Sequence, residues 1–214
     1  MGYIFGKTSS KLVNVRVNLP LLLAASVLPD IDLALRFLMH RGPTHSLITI
    51  SVLMIPFFVI YRKQAIPYYA ALLSHSLIGD FFTGGSQLFW PLSHNWFGAL
   101  NLEVFGLINV VLELALFSLT LPIMYKLGDL QTLLKPNNKS WALIIPLVAT
   151  LGPLLAVGRG QENALPVLLI IPSLFYVGLF VYSLFVWLRA GHIKDKDKLQ
   201  PKVAASDFSS NHVS

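Results

Sequence analysis

Three short stretches carry most of the chemistry open to this 214-residue chain. Pro29-Asp30-Ile31-Asp32 is followed by His40-Arg41-Gly42-Pro43-Thr44-His45-Ser46, and later by Ser74-His75 and Asp80-Phe81-Phe82-Thr83-Gly84-Gly85. Three aspartates and three histidines thus stand among strongly apolar residues, where burying an unpaired polar group is expensive. A divalent metal ion is the simplest partner that satisfies all six. Cysteine is absent, so such an ion has only nitrogen and oxygen ligands, which suit zinc or manganese best, with iron and nickel also accommodated. The candidate ligands are Asp30, Asp32, His40, His45, His75 and Asp80. A catalytic zinc commonly takes three protein ligands and a water, so either one ion with supporting carboxylates or two ions per chain fit this set. Water on such an ion has its pKa lowered toward about 7. Asp32 or Asp80 would then accept its proton, and Arg41 would hold an anionic group such as phosphate. Taken singly, each residue reads as an interfacial cap or a structural histidine. Six together read as an ion or proton site.

The elements that must position these groups are apolar helices. The chain is 55% hydrophobic and only 12% charged, with mean hydropathy +0.66. An ordinary soluble domain carries about 25% charged residues. The deficit runs along the whole length, which predicts an all-α, polytopic transmembrane bundle. Run lengths suggest five to six spans, at 17–39, 44–61, 66–82, 99–125, 141–157 and 164–188, against the roughly 17–25 residues a crossing needs. The fifth is short and holds Pro146 and Pro153, so a kinked or re-entrant segment is expected there. The first run is not read as a signal peptide, because the basic region before it is long and apolar character resumes after Asp32. Residues 1–188 form a single integral membrane domain with the metal-site region at 20–93. Residues 189–214 form a polar tail expected to be disordered.

The net charge of +6 belongs to short segments between apolar runs, which fits membrane orientation rather than nucleic acid. With the N-terminus inside, thirteen Lys and Arg fall on the inner side and only Arg36, Arg41 and Arg159 outside. Both termini are therefore expected in the cytoplasm, with the protein multi-pass in the plasma (inner) membrane. This topology brings all six candidate ligands to one outer face.

Local sequence adds detail. Gly42-Pro43 predicts a turn between the histidines, Thr44 an N-cap for the second span, and Gly84-Gly85 a tight turn. Asp80 follows His75 by five residues, roughly 140° apart on an ideal helix. The two converge only if the helix opens near Gly79, or if two ions are bound. Glu103 is either a further ligand or base, or an interfacial acid. Glu113, with Asn109 one turn earlier, reads as a helix-to-helix hydrogen-bonding pair. His94, between Trp90 and Trp96, reads as interfacial anchoring. Arg159 and Glu162 flank a short loop and are expected to pair or to approach a headgroup. Gly-x-Ser-x-Gly, His-Glu-x-x-His and Gly-x-x-x-x-Gly-Lys patterns are all missing, so a nucleophilic triad or ATP-driven mechanism has no support.

PDID, HRGPTHSL and LSHSLIGDFFTGGSQLFWPL, in this order, resemble the YdjM-like family of inner-membrane proteins, described as membrane-bound metal-dependent hydrolases. The resemblance covers about residues 20–93. It implies Asp30, Asp32, His40, His45, His75 and Asp80 as metal ligands, with Thr44, Thr83 and Gly84 in support. Members often carry a further histidine near the N-terminus, and this chain has none before His40. The expected function is hydrolysis of a phosphoester or other ester, lipid-linked if the position of the site is a guide. The expected partners are membrane lipid and that ester substrate, without nucleic acid. A metal or proton carrier, and a structural protein whose metal fastens helices, use the same residues and stand as alternatives. Oligomeric state is not legible.

Overall fold

Helices form wherever the apolar runs are free of carboxylates, and they break where proline and aspartate crowd together. The computed structural model describes residues 1–33, 37–100, 102–103, 106–157 and 166–209. Arg36, Arg159 and Glu162 lie outside these residues. The helices are α1 (Gly2–Leu12), α2 (Leu19–Val27), α3 (Leu47–Tyr61), α4 (Ile66–Ser74), α5 (Leu107–Lys126), α6 (Asp129–Leu133), α7 (Ile144–Val157) and α8 (Val167–Ser209). Among the described residues no β-strand forms, although Ser86 and Phe97 make one isolated antiparallel bridge.

The all-helical class is as expected, but the number of spans is not. Three stretches are long and apolar enough to cross a membrane among the described residues, Leu47–Asp80, Leu107–Lys126 and Val167–His192. The expected first span stops as an α-helix after nine residues, because Pro29, Asp30 and Asp32 divert the chain into a 3-10 turn, Leu28–Leu33. The expected second and third spans occupy one long run, broken at Arg62, whose φ of +50° is left-handed and reverses the path. They become α3 and α4, packed against each other. The fifth yields only a shorter apolar helix, Ser140–Gly152. Helix α8 contains the candidate span Val167–His192.

Helix α1 was not anticipated. It packs on α2 and α4 through Gly2 and Gly6, which share one face. A Cβ at Gly6 would lie 2.3 Å from Leu22 Cδ1, and one at Gly2 would lie 2.1 Å from Ser26 Cβ. Tyr3 donates to Asp129 Oδ2 at 2.6 Å and Lys7 Nζ donates to Asp129 Oδ1 at 2.9 Å, so α1 is also tied to α6. The core around these contacts includes Leu22, Ala71, Met124, Leu133, Leu143 and Phe180. Outward side chains such as Leu53, Val59 and Ile60 are apolar and exposed, as a lipid-facing surface requires.

Candidate metal centre

Each candidate group is delivered by a break in a helix. The 3-10 turn after α2 presents Asp30 and Asp32. A second 3-10 turn, Pro43–His45, follows the expected Gly42-Pro43 reversal and presents His45, which is fully buried. Between α4 and the following loop the chain winds as a π-helical turn, His75–Asp80. Its i→i+5 repeat places Asp80 one turn above His75, which is the opening near Gly79 that the five-residue spacing required. Gly84 and Gly85 then turn the chain at φ +102° and +79°. Gly85 N donates to Asp80 O at 2.8 Å, which locks the turn below the carboxylate.

Two groups with metal-ligand geometry result, sharing His45: Asp30, His45 and His75, and Asp32, His40 and His45, with ligand atoms in each group within 4.8 Å of one another. In the first, Asp30 Oδ1 lies 3.4 Å from His45 Nε2 and 3.2 Å from His75 Nε2. Asp80 approaches the same nitrogens, with Oδ2 3.3 Å from His45 Nε2 and 3.8 Å from His75 Nε2. On the far side of the His45 ring, Asp32 accepts from Arg41 N at 3.1 Å and from Thr44 Oγ1 at 2.9 Å. Its carboxylate also faces His40 Nδ1 at 3.1 Å and His45 Nδ1 at 3.3 Å.

These partners assign the tautomers. The Thr44 hydroxyl hydrogen goes to Asp32, so both oxygens beside His45 Nδ1 can only accept, and Nδ1 must carry the proton. His75 Nδ1 faces the Ser26 carbonyl oxygen at 3.1 Å and donates to it. With Nδ1 so committed, both rings turn Nε2 toward Asp30 and Asp80, and in the neutral form of each ring that nitrogen offers a lone pair. His45 Nε2 and Asp80 Oδ2 are buried there without a hydrogen-bond partner. Ring nitrogens and carboxylate charge gathered in this way, two of the atoms with no hydrogen-bond partner, fit a cation. Outside the three candidate spans, burial pushes the Asp30 carboxyl up, but hydrogen-bonding contacts and charge from His45 and His75 outweigh it and hold it well below the ordinary carboxylate range.

Arg41 completes the wall. Its Nη1 donates to the Thr83 carbonyl oxygen, its Nη2 donates to Thr83 Oγ1 at 3.1 Å, and its Nε lies 3.4 Å from Asp80 Oδ1. Its own backbone is left-handed, at φ +61°, and its carbonyl accepts from Gln87 N, so the loop after the π turn pins it in place. Thr44, expected as the N-cap of the second span, serves Asp32 and His45 instead. The cap is Ser46, which accepts from Ile48 N and Thr49 N at 3.2 and 3.3 Å.

A cavity of about 570 Å³ begins at Asp30, His40, Arg41, His75 and Asp80 and extends to Asn109 and Glu113 on α5. There Asn109 Nδ2 donates to Glu113 Oε1 at 3.0 Å along α5. Glu103 belongs to neither metal-ligand group. Ser26, which fixes His75, is not visible in the sequence because its contribution is a backbone oxygen, and no side-chain pattern signals that.

A family model, that of the YdjM inner membrane protein, matches residues 1–186. The chain belongs to this family. YdjM membership, together with the apolar helices, makes it a membrane protein, and the match extends well past the 20–93 region in which the motifs lie. Comparisons with curated proteins and with solved structures gave no match.

Proposed function

We propose that this protein is a membrane-embedded, metal-dependent hydrolase of a phosphoester or another ester. The observation that carries the reading is the convergence of Asp30 Oδ1, His45 Nε2, His75 Nε2 and Asp80 Oδ2, with His45 Nε2 and Asp80 Oδ2 buried there without a hydrogen-bond partner. Donors around a tetrahedral zinc-type ion with bonds of about 2.0–2.1 Å lie roughly 3.3 Å apart, close to the contacts found. An ion held there supplies Lewis acidity and lowers the pKa of a water toward about 7. His45 has a single lone pair to give, because Nδ1 is committed, so one ion per chain is the better reading.

The roles follow from the contacts. Asp32 is saturated by donors, so it orients His45 rather than accepting a proton. Asp80 has one oxygen toward the histidines and one toward Arg41, which makes it the fourth ligand or the acceptor of the attacking water's proton. Arg41 donates two of its five N–H groups to Thr83 and turns Nε toward Asp80, leaving two for an anionic substrate oxygen. His40, held by Asp32 and about half exposed, stands at the cavity mouth to exchange protons with solvent. The Lys and Arg distribution supports the C-terminus inside and the site near the outer face; Met1 lines the cavity of the site, so the start of α1 lies at that same end rather than inside.

Metal analysis of detergent-purified protein, followed by a screen of phosphoesters and esters with metal-loaded protein, tests the proposal. About one ion per chain is expected in the wild type and none in the His45→Ala, His75→Ala double variant. Equal trace metal in both would overturn it. A carrier is the second reading, favoured by Glu113 and Asn109 lining the same cavity. It requires metal or proton flux in proteoliposomes that Glu113→Gln abolishes, without hydrolysis.

A further inference from the structure

The polar cluster occupies only one end of its cavity. Away from Arg41 and the carboxylates the walls turn apolar, with Leu23 from α2, Leu116 and Phe117 from α5, and Leu169, Tyr176 and Phe180 from α8. A small water-soluble ester would need the polar end alone and would leave the rest filled with poorly bonded water. The volume of about 570 Å³ falls inside the range of roughly 300–1,000 Å³ typical of pockets that enclose most of a ligand of modest size. Two of the helices that wall it, α5 and α8, carry stretches long and apolar enough to cross a membrane, as a chamber open to an alkyl chain would require. The Glu113–Asn109 pair, with Thr120, Thr150 and Ser173, adds polar spots to a mainly apolar wall.

We infer that the substrate is an amphiphile, with a phosphate-type anionic head at Arg41 and the His/Asp cluster and a single alkyl or prenyl chain along α5 and α8. This rests on the hydrolase reading and names its substrate class. Arg41 supplies the charge complement for the head. The apolar chamber, continuous with the cluster, supplies the complement for the chain, and its volume suits one chain rather than two.

Calorimetric binding of non-hydrolysable alkylphosphonates, from methyl to dodecyl, to metal-loaded protein tests this without turnover. At concentrations below micelle formation, each methylene that enters the chamber should raise affinity by up to about fourfold, levelling off once the space is full. Leu116→Trp should bring the plateau to shorter chains and leave methylphosphonate affinity unchanged. Ser173→Phe, on the facing helix, repeats the measurement if the first variant does not fold. Affinity independent of chain length, or a plateau that neither filled variant moves, would overturn the inference. Long chains that bind with this dependence while no phosphoester is hydrolysed would sink the hydrolase reading and leave the chamber standing. Equal kcat/KM for soluble and long-chain phosphoesters would do the reverse.

Discussion

The Asp32 carboxylate accepts from the Arg41 amide and the Thr44 hydroxyl, and it faces His40 Nδ1 at 3.1 Å and His45 Nδ1 at 3.3 Å. Such a carboxylate fixes the tautomer of the histidine it touches, and with it which nitrogen offers a lone pair. Asp32→Asn turns one accepting oxygen into a donor. His45 then loses its reason to protonate Nδ1, and a proton on Nε2 would face Asp30 and Asp80. Metal affinity is expected to fall about 10–100-fold, as for other residues that orient a ligand, and titration against a chelator measures it. Asp30→Asn, which removes a contact from the cluster itself, should cost more. An equal or smaller loss would contradict the assignment of Asp30 as ligand and Asp32 as its support. The residue types were legible in the sequence because aspartate and histidine in apolar runs are conspicuous. Their division of labour was not, because Asp30 and Asp32 look alike until Thr44 and the Arg41 amide are seen to claim only one of them.

At the scale of elements, each ligand depends on an irregularity rather than a regular helix. The π turn was legible as a condition, since His75 and Asp80 cannot share a face of an ordinary α-helix. The early end of α2 was not, because Pro29 sits inside a longer apolar run. Helix α1 was hidden as well. Its lysines and serines resemble a basic inner segment, and only the packing reveals why Gly2 and Gly6 lie four residues apart. Gly6→Val would force a side chain into Leu22, which is fully buried, and against the Pro67 carbonyl oxygen, 3.1 Å from the new Cβ. Overpacking of this kind costs about 1–3 kcal/mol, so thermal unfolding in detergent should occur at a clearly lower temperature. The corresponding change at Gly2 would press on Ser26, whose carbonyl holds His75, and so should weaken metal binding as well.

Over the whole molecule, the site and the main electrostatic clamp are separate devices built on the same helices. Helix α1 starts beside Ser26, next to the cluster, and further along delivers Tyr3 and Lys7 to Asp129 at the start of α6. Residues 107–186 contain few groups that could do chemistry, so beyond the Asn109–Glu113 pair and Arg159 and Glu162 the sequence offered little to read there. The structure uses them as walls: α5 and α8 enclose the cavity, and α6 receives the clamp. Asp129 is almost fully buried, with side-chain exposure of 9% against 20% for Lys7. Asp129→Ala would leave the Lys7 ammonium and the Tyr3 hydroxyl half-enclosed without a partner. Removing one member of a buried pair costs about 3–5 kcal/mol because the remaining charge stays uncompensated. The double change Lys7→Met, Asp129→Leu removes that charge and should recover much of the loss. Because the clamp touches no member of the His/Asp cluster, the folded fraction of each variant should bind metal with wild-type affinity. Thermal melts paired with metal titration separate the two properties, and a weakened metal site in folded Asp129→Ala would show that clamp and centre are coupled.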